Sequence, residues 1–85
     1  YPNPIIDGST TFRFYVGSTK TSEVQVHIYN AAGYLIEDGL INSQLTHYEF
    51  NEIQWDVSRV DAGLYFADIK PNFGSSELVR LVVIK

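Results

Sequence analysis

Eighty-five residues, 45% of them apolar, suffice for one folded domain with one core, and the same apolar share excludes a disordered chain. Aromatic residues make up 14%, which favours strands over helices, and the absence of cysteine removes disulfides and thiolate metal sites. A net charge of −4 with only six scattered basic residues argues against a nucleic-acid partner.

Period-2 alternation of apolar and polar residues runs through most of the chain. Phe12, Phe14 and Val16 alternate with Thr11, Arg13 and Tyr15, and Val24, Val26 and Ile28 with Glu23, Gln25, His27 and Tyr29. Each run reads as a strand with one buried face. The polar stretch 17–22 between them is a loop. Asn30-Ala31-Ala32-Gly33 reads as a tight hairpin turn in which Gly33 takes the positive-φ position. Tyr34 to Ile36 leads into a short strand that Glu37-Asp38-Gly39 is expected to end, and residues 40–47 fit either a further short pairing or a loop. Tyr48, Phe50, Ile53 and Trp55 suggest a strand whose phase slips between Phe50 and Ile53, as a bulge would produce. After a turn over Ser58 to Gly63, Leu64 to Lys70 and Glu77 to Lys85 read as two strands joined by a hairpin loop at Pro71 to Ser75. No window carries a sustained helical apolar stripe. The expectation is all-β, a single domain over 1–85 built as an immunoglobulin-like antiparallel β-sandwich of about seven strands.

Few residues invite chemistry. His27 and His47 lack converging partners and are expected on the exposed side of the fold. Asp7, Asp38, Asp56, Asp61 and Asp68 are spread over turns and strand ends without a calcium-loop spacing, and no nucleophile elbow or phosphate loop occurs. No enzyme and no cofactor is expected. Trp55, with Tyr15 and Tyr29, admits a carbohydrate-stacking reading, set against Trp55 as the ring between two sheets. The last strand is less ordinary. If Val79, Leu81 and Val83 face the core, Leu78, Arg80, Val82 and Ile84 face outward, where a half-buried strand should be polar. That apolar stripe would suit addition to a receptor's sheet edge. No apolar run exceeds four residues, as at Leu81 to Ile84, which is too short to cross a bilayer, so no stable membrane insertion is expected. A chain without Met is expected to come from a longer precursor.

The order of short motifs is more specific than any one of them. Tyr1-Pro2-Asn3-Pro4, Ile28 to Gly33, Trp55-Asp56, Val60-Asp61-Ala62-Gly63-Leu64-Tyr65 and the aliphatic finish Leu81, Val82, Val83, Ile84 with Lys85 follow one another over the whole length. The sequence resembles the C-terminal sorting domain of proteins exported by the type IX (Por) secretion system of Bacteroidetes. A related immunoglobulin-like domain of flagellar hook-capping proteins shares the Trp-Asp and Gly-Leu-Tyr elements. The resemblance implies a signal that carries an N-terminal cargo in cis across the outer membrane, after transit through the periplasm, to a secreted or cell-surface location. The partners it implies are the type IX translocon and sortase-like components, with the terminal residues Leu81 to Lys85 as the expected contact. An accessory carbohydrate-binding or adhesion module and a structural spacer are the competing readings.

Overall fold

A computed structural model describes Ile5 and residues 8–85. Tyr1, Pro2, Asn3 and Pro4, the opening motif of the resemblance, lie outside the described residues, as does Asp7. Six strands follow in chain order: β1 (Ser9–Val16), β2 (Val24–Asn30), β3 (Leu35–Asn42), β4 (Glu49–Asp56), β5 (Gly63–Pro71) and β6 (Glu77–Val83). They form two antiparallel sheets, β1-β4 and β3-β2-β5-β6. All-β architecture is as expected, with six strands in place of about seven and no helix among the described residues.

The alternating residues supply the core. Phe12, Phe14 and Val16 of β1 and Ile53 and Trp55 of β4 are buried, as are Val24, Val26 and Ile28 of β2, Tyr65, Ala67 and Ile69 of β5, and Leu81 and Val83 of β6. The inward faces of both sheets thus carry one shared apolar cluster, which is the sandwich arrangement. Ile5 adds a short parallel pairing on the outer side of β6. It bridges Val83, is itself fully buried, and donates its N–H to Val82 O at 2.7 Å while Ile84 donates to Ile5 O at 2.9 Å.

Two expectations are corrected in the middle of the chain. Glu37-Asp38-Gly39 does not end a strand, because β3 runs through it to Asn42. Its register against β2 shifts between Val26 and Ile28 and again between Ile28 and Tyr29. Those shifts erase the alternation that would have announced a strand. Conversely, β4 carries no bulge. Its register against β1 is unbroken from Ser9↔Asp56 to Val16↔Glu49. Asn51 rather than Phe50 takes the inward position, which is possible because its amide is fully used. Its Oδ1 accepts Thr46 N–H at 2.8 Å, and its Nδ2 donates to Thr46 O and Glu49 O. Phe50 turns outward instead, edge-on to Tyr15 at 5.4 Å and beneath the Arg13 guanidinium at 4.5 Å.

Candidate functional site

The motif residues converge on one end of the sandwich. β4 ends there at Asp56, β5 begins at Gly63, β6 finishes at Val83, and the β2–β3 hairpin turns over Asn30 to Tyr34. In that hairpin Gly33 has φ of 88°, left-handed as its position required. Asn30 Oδ1 gathers the N–H groups of Ala32 and Tyr34, each at 3.0 Å, so one side chain closes the turn.

Trp55 is 2% exposed, which settles its role as core and removes it as a stacking platform. Its indole meets the Tyr65 ring edge-to-face at 5.8 Å and 73°. The Tyr65 hydroxyl donates to Asp61 O at 2.6 Å, four residues upstream. That is the tyrosine corner of immunoglobulin-like sandwiches. It explains the Asp-Ala-Gly-Leu-Tyr spacing. Gly63, at φ 155°, lets the chain swing into β5 so that the ring two residues on can point back to the turn it has just left. Burial, and secondarily the Asp61 charge, push the Tyr65 phenol above its usual range.

Asp56 caps the neighbouring turn. Its Oδ1 accepts Ser58 N–H at 2.9 Å. Hydrogen bonds from the backbone and side chain of Ser58, assisted by the charges of Arg59 and Lys85, hold its carboxyl below the usual carboxylate range. Lys85 folds back onto the same turn, its Nζ donating to Ser58 O at 3.1 Å. The Trp-Asp element and the final basic residue, thirty positions apart in the sequence, therefore share one turn.

β6 divides as its alternation required. Leu81 and Val83 are buried, while Leu78 is 66%, Val82 37% and Ile84 46% exposed. Leu64, directly opposite Val82 across the β5–β6 ladder, is 37% exposed and extends the apolar surface onto β5. Sequence reasoning named β6 but missed Leu64, which only strand pairing reveals. It also missed Ile5, whose single-bridge pairing leaves no periodic signal. The strand edge at Val82 to Ile84 is held by Ile5, so the terminal strand presents a face there rather than an open edge.

The histidines are half-buried rather than freely exposed. His27 Nε2 lies 3.3 Å from Gln25 Oε1, and His47 Nε2 lies 2.7 Å from Thr21 O, joining two loops. Among the described residues no group of three or more His, Cys, Asp or Glu side chains is placed to hold a metal ion. No helix is long and apolar enough to cross a membrane.

No curated protein matches the chain. A family profile described as "Secretion system C-terminal sorting domain" matches residues 1–85, the full length. The tyrosine corner, the Asp56 turn tied to Lys85 and the six-stranded sandwich give the matched motifs their physical content. The chain belongs to the family of secretion-system C-terminal sorting domains, the C-terminal sorting signals of type IX secretion.

Proposed function

We propose that the type IX machinery recognises this domain through the outward apolar surface at the end of β6, formed by Val82 and Ile84 with Leu64 beside them. The membership already implies interaction with the secretion machinery and a cargo in cis, and a secreted or cell-surface destination. The finer reading is that translocon and sortase-like components of the outer membrane make the contact, and that the cargo arrives through the periplasm. The domain acts by being recognised, without a cofactor and without chemistry of its own.

One observation carries this reading: three aliphatic side chains stand exposed on a strand face where a solvated sheet ordinarily places polar ones. The Ile5 pairing favours contact through the face over strand addition at that position, since addition would require Ile5 to leave. What supports a non-enzymatic role is that both histidines are engaged in hydrogen bonds, His27 with Gln25 and His47 with Thr21 O.

The test fuses the domain to the C-terminus of a periplasm-targeted reporter in a host with the type IX apparatus. Removing Val82 to Lys85 is expected to leave the reporter periplasmic. That truncation also deletes buried Val83, at a cost of about 1–3 kcal/mol, and unseats Ile5. The deciding variant is therefore Val82→Thr with Ile84→Thr, which keeps strand propensity and makes the face polar. With thermal unfolding close to the parent, retention in the periplasm supports recognition of this face. Export at the parental level refutes it.

A further inference from the structure

Resting on the recognition of Val82 and Ile84 proposed above, we infer that Ile5 is a positioning residue for that surface. Its seat on the edge of β6 holds the end of the strand in register, so the surface is displayed only once the segment before β1 has docked.

Main-chain directions show why the end of β6 needs this support. The β5–β6 register ends at Gly63↔Val83, so Val83 is the last residue that β5 secures. Val82 and Ile84 point their main-chain groups to the other side, where Ile5 donates to Val82 O and accepts from Ile84 N–H. Ile84 lies one residue past β6, and among the described residues the partner of its N–H is Ile5 O. Side chains alternate along an extended chain. With Val83 buried, extended backbone at Ile84 is what sends that side chain to the outer face beside Val82. A frayed Ile84 would remove one of the three aliphatic side chains that make the surface.

Two contacts reach these terminal residues from outside β5, and they are unequal. Lys85 Nζ donates to Ser58 O at 3.1 Å from an exposed side chain, where water competes and the long stem loses freedom. Ile5 is 0% exposed, so unseating it would bring a whole isoleucine side chain into water. Its segment is fixed on the second sheet as well, since Gly8 O accepts the Val57 N–H at 2.8 Å, beside the turn that Lys85 reaches. The bonds Ile5–Ile84, Gly8–Val57 and Ser58–Lys85 thus close a ring through three segments of the chain. Ile5 and Ile84 are separated in sequence by all six strands. Their pairing is complete only when the sandwich is, and display of the surface reports that the fold has closed.

The test measures amide exchange and export for the same variants, with the whole chain carried by the reporter fusion in the export assay. In the unaltered chain the Ile84 amide is expected to exchange about tenfold or more slowly than an unstructured one, although it lies past the last strand. Ile5→Asn, which puts an amide into an apolar seat, should erase that protection, leave Tyr65 and Leu81 protected, and lower export about tenfold. Ile5→Val, which keeps an aliphatic side chain, should behave as the parent. Val24→Ala, at the far end of β2, controls for lost stability alone: Tm falls, with Ile84 protection and export unchanged. Should Ile5→Asn fail to fold, Ile5→Ala takes its place. Fast exchange at Ile84 in the unaltered chain, or protection that survives Ile5→Asn, overturns the inference. So does parental export of Ile5→Asn with Ile84 unprotected, or an equal loss of export in Val24→Ala. Parental export of Val82→Thr with Ile84→Thr overturns the recognition reading, and the role of Ile5 in export with it. Ile84 exchange that still tracks Ile5 tells that failure apart from failure of the seat itself.

Discussion

Replacing Tyr65 with Phe removes one oxygen and nothing else. The ring and its edge-to-face contact with Trp55 remain, and the hydrogen bond to Asp61 O at 2.6 Å is lost. A buried hydrogen bond of this kind is worth about 1 kcal/mol net, with a spread of about half that either way. Asp61 lies at the surface, so water can rehydrate its carbonyl, and the unsatisfied-acceptor penalty is small. The expected loss is thus about 1 kcal/mol, which lowers Tm by about 4–8 °C in a domain of this size. Urea and thermal unfolding at neutral pH measure it, with Tyr29→Phe on the outer sheet face as the control. The same variant has an alkaline signature. The folded-state pKa of Tyr65 is raised above its ordinary 10.0, so the folded protein holds this proton more tightly than the unfolded chain. Its contribution is fully present below about pH 10 and is lost as pH rises through the folded pKa. Parent and variant stabilities should therefore converge at high pH. A neutral-pH difference below about 0.3 kcal/mol, or a gap that does not narrow, would refute the tyrosine corner as an energetic feature.

Asp56 predicts the opposite limb. Its folded-state pKa is depressed, so its contribution is present above the ordinary 3.8 and lost as pH falls through the folded value. Asp56→Asn should flatten that acid limb in unfolding measurements between neutral and acidic pH, and an unchanged limb would count against the Ser58 turn. Gly33→Ala meets open space but must hold a φ of 88°. It should cost about 1–2 kcal/mol by chemical denaturation, and a neutral result would show that the hairpin adopts another turn.

What could be read from the sequence depended on how regularly each strand is used. β1, β2, β5 and β6 face one side throughout, so Phe12 to Val16 and Val24 to Ile28 announced their buried faces. β3 was hidden because its paired partner shifts twice, leaving Glu37 to Gly39 with the look of a terminator. In β4 hydrophobicity misled: Phe50 was assigned inward, yet Asn51 goes in because nearby backbone groups satisfy its amide, a tertiary fact absent from any local pattern. The last strand's outward aliphatics were visible from spacing alone. Leu64 required knowledge of which strand lies beside β6. His47 looked solvent-exposed because loop packing, as between His47 and Thr21, has no periodic trace, and His27 because its outward register in β2 does not show that Gln25 lies against it.

The parallel bond pair at Ile5 also sets a load path. Tension that reaches Ile5 along the polypeptide passes to Val82 and Ile84, to which it is clamped. The two hydrogen bonds of this bridge carry that load together. The force is therefore delivered into the final strand, and from there through the β5–β6 ladder into the larger sheet, bypassing β1. Ile5 and the surface proposed as the signal are thus parts of one mechanical element. Pulling the tail free of the sandwich would unclamp the upstream chain, and pulling the upstream chain loose would bare the edge of the tail.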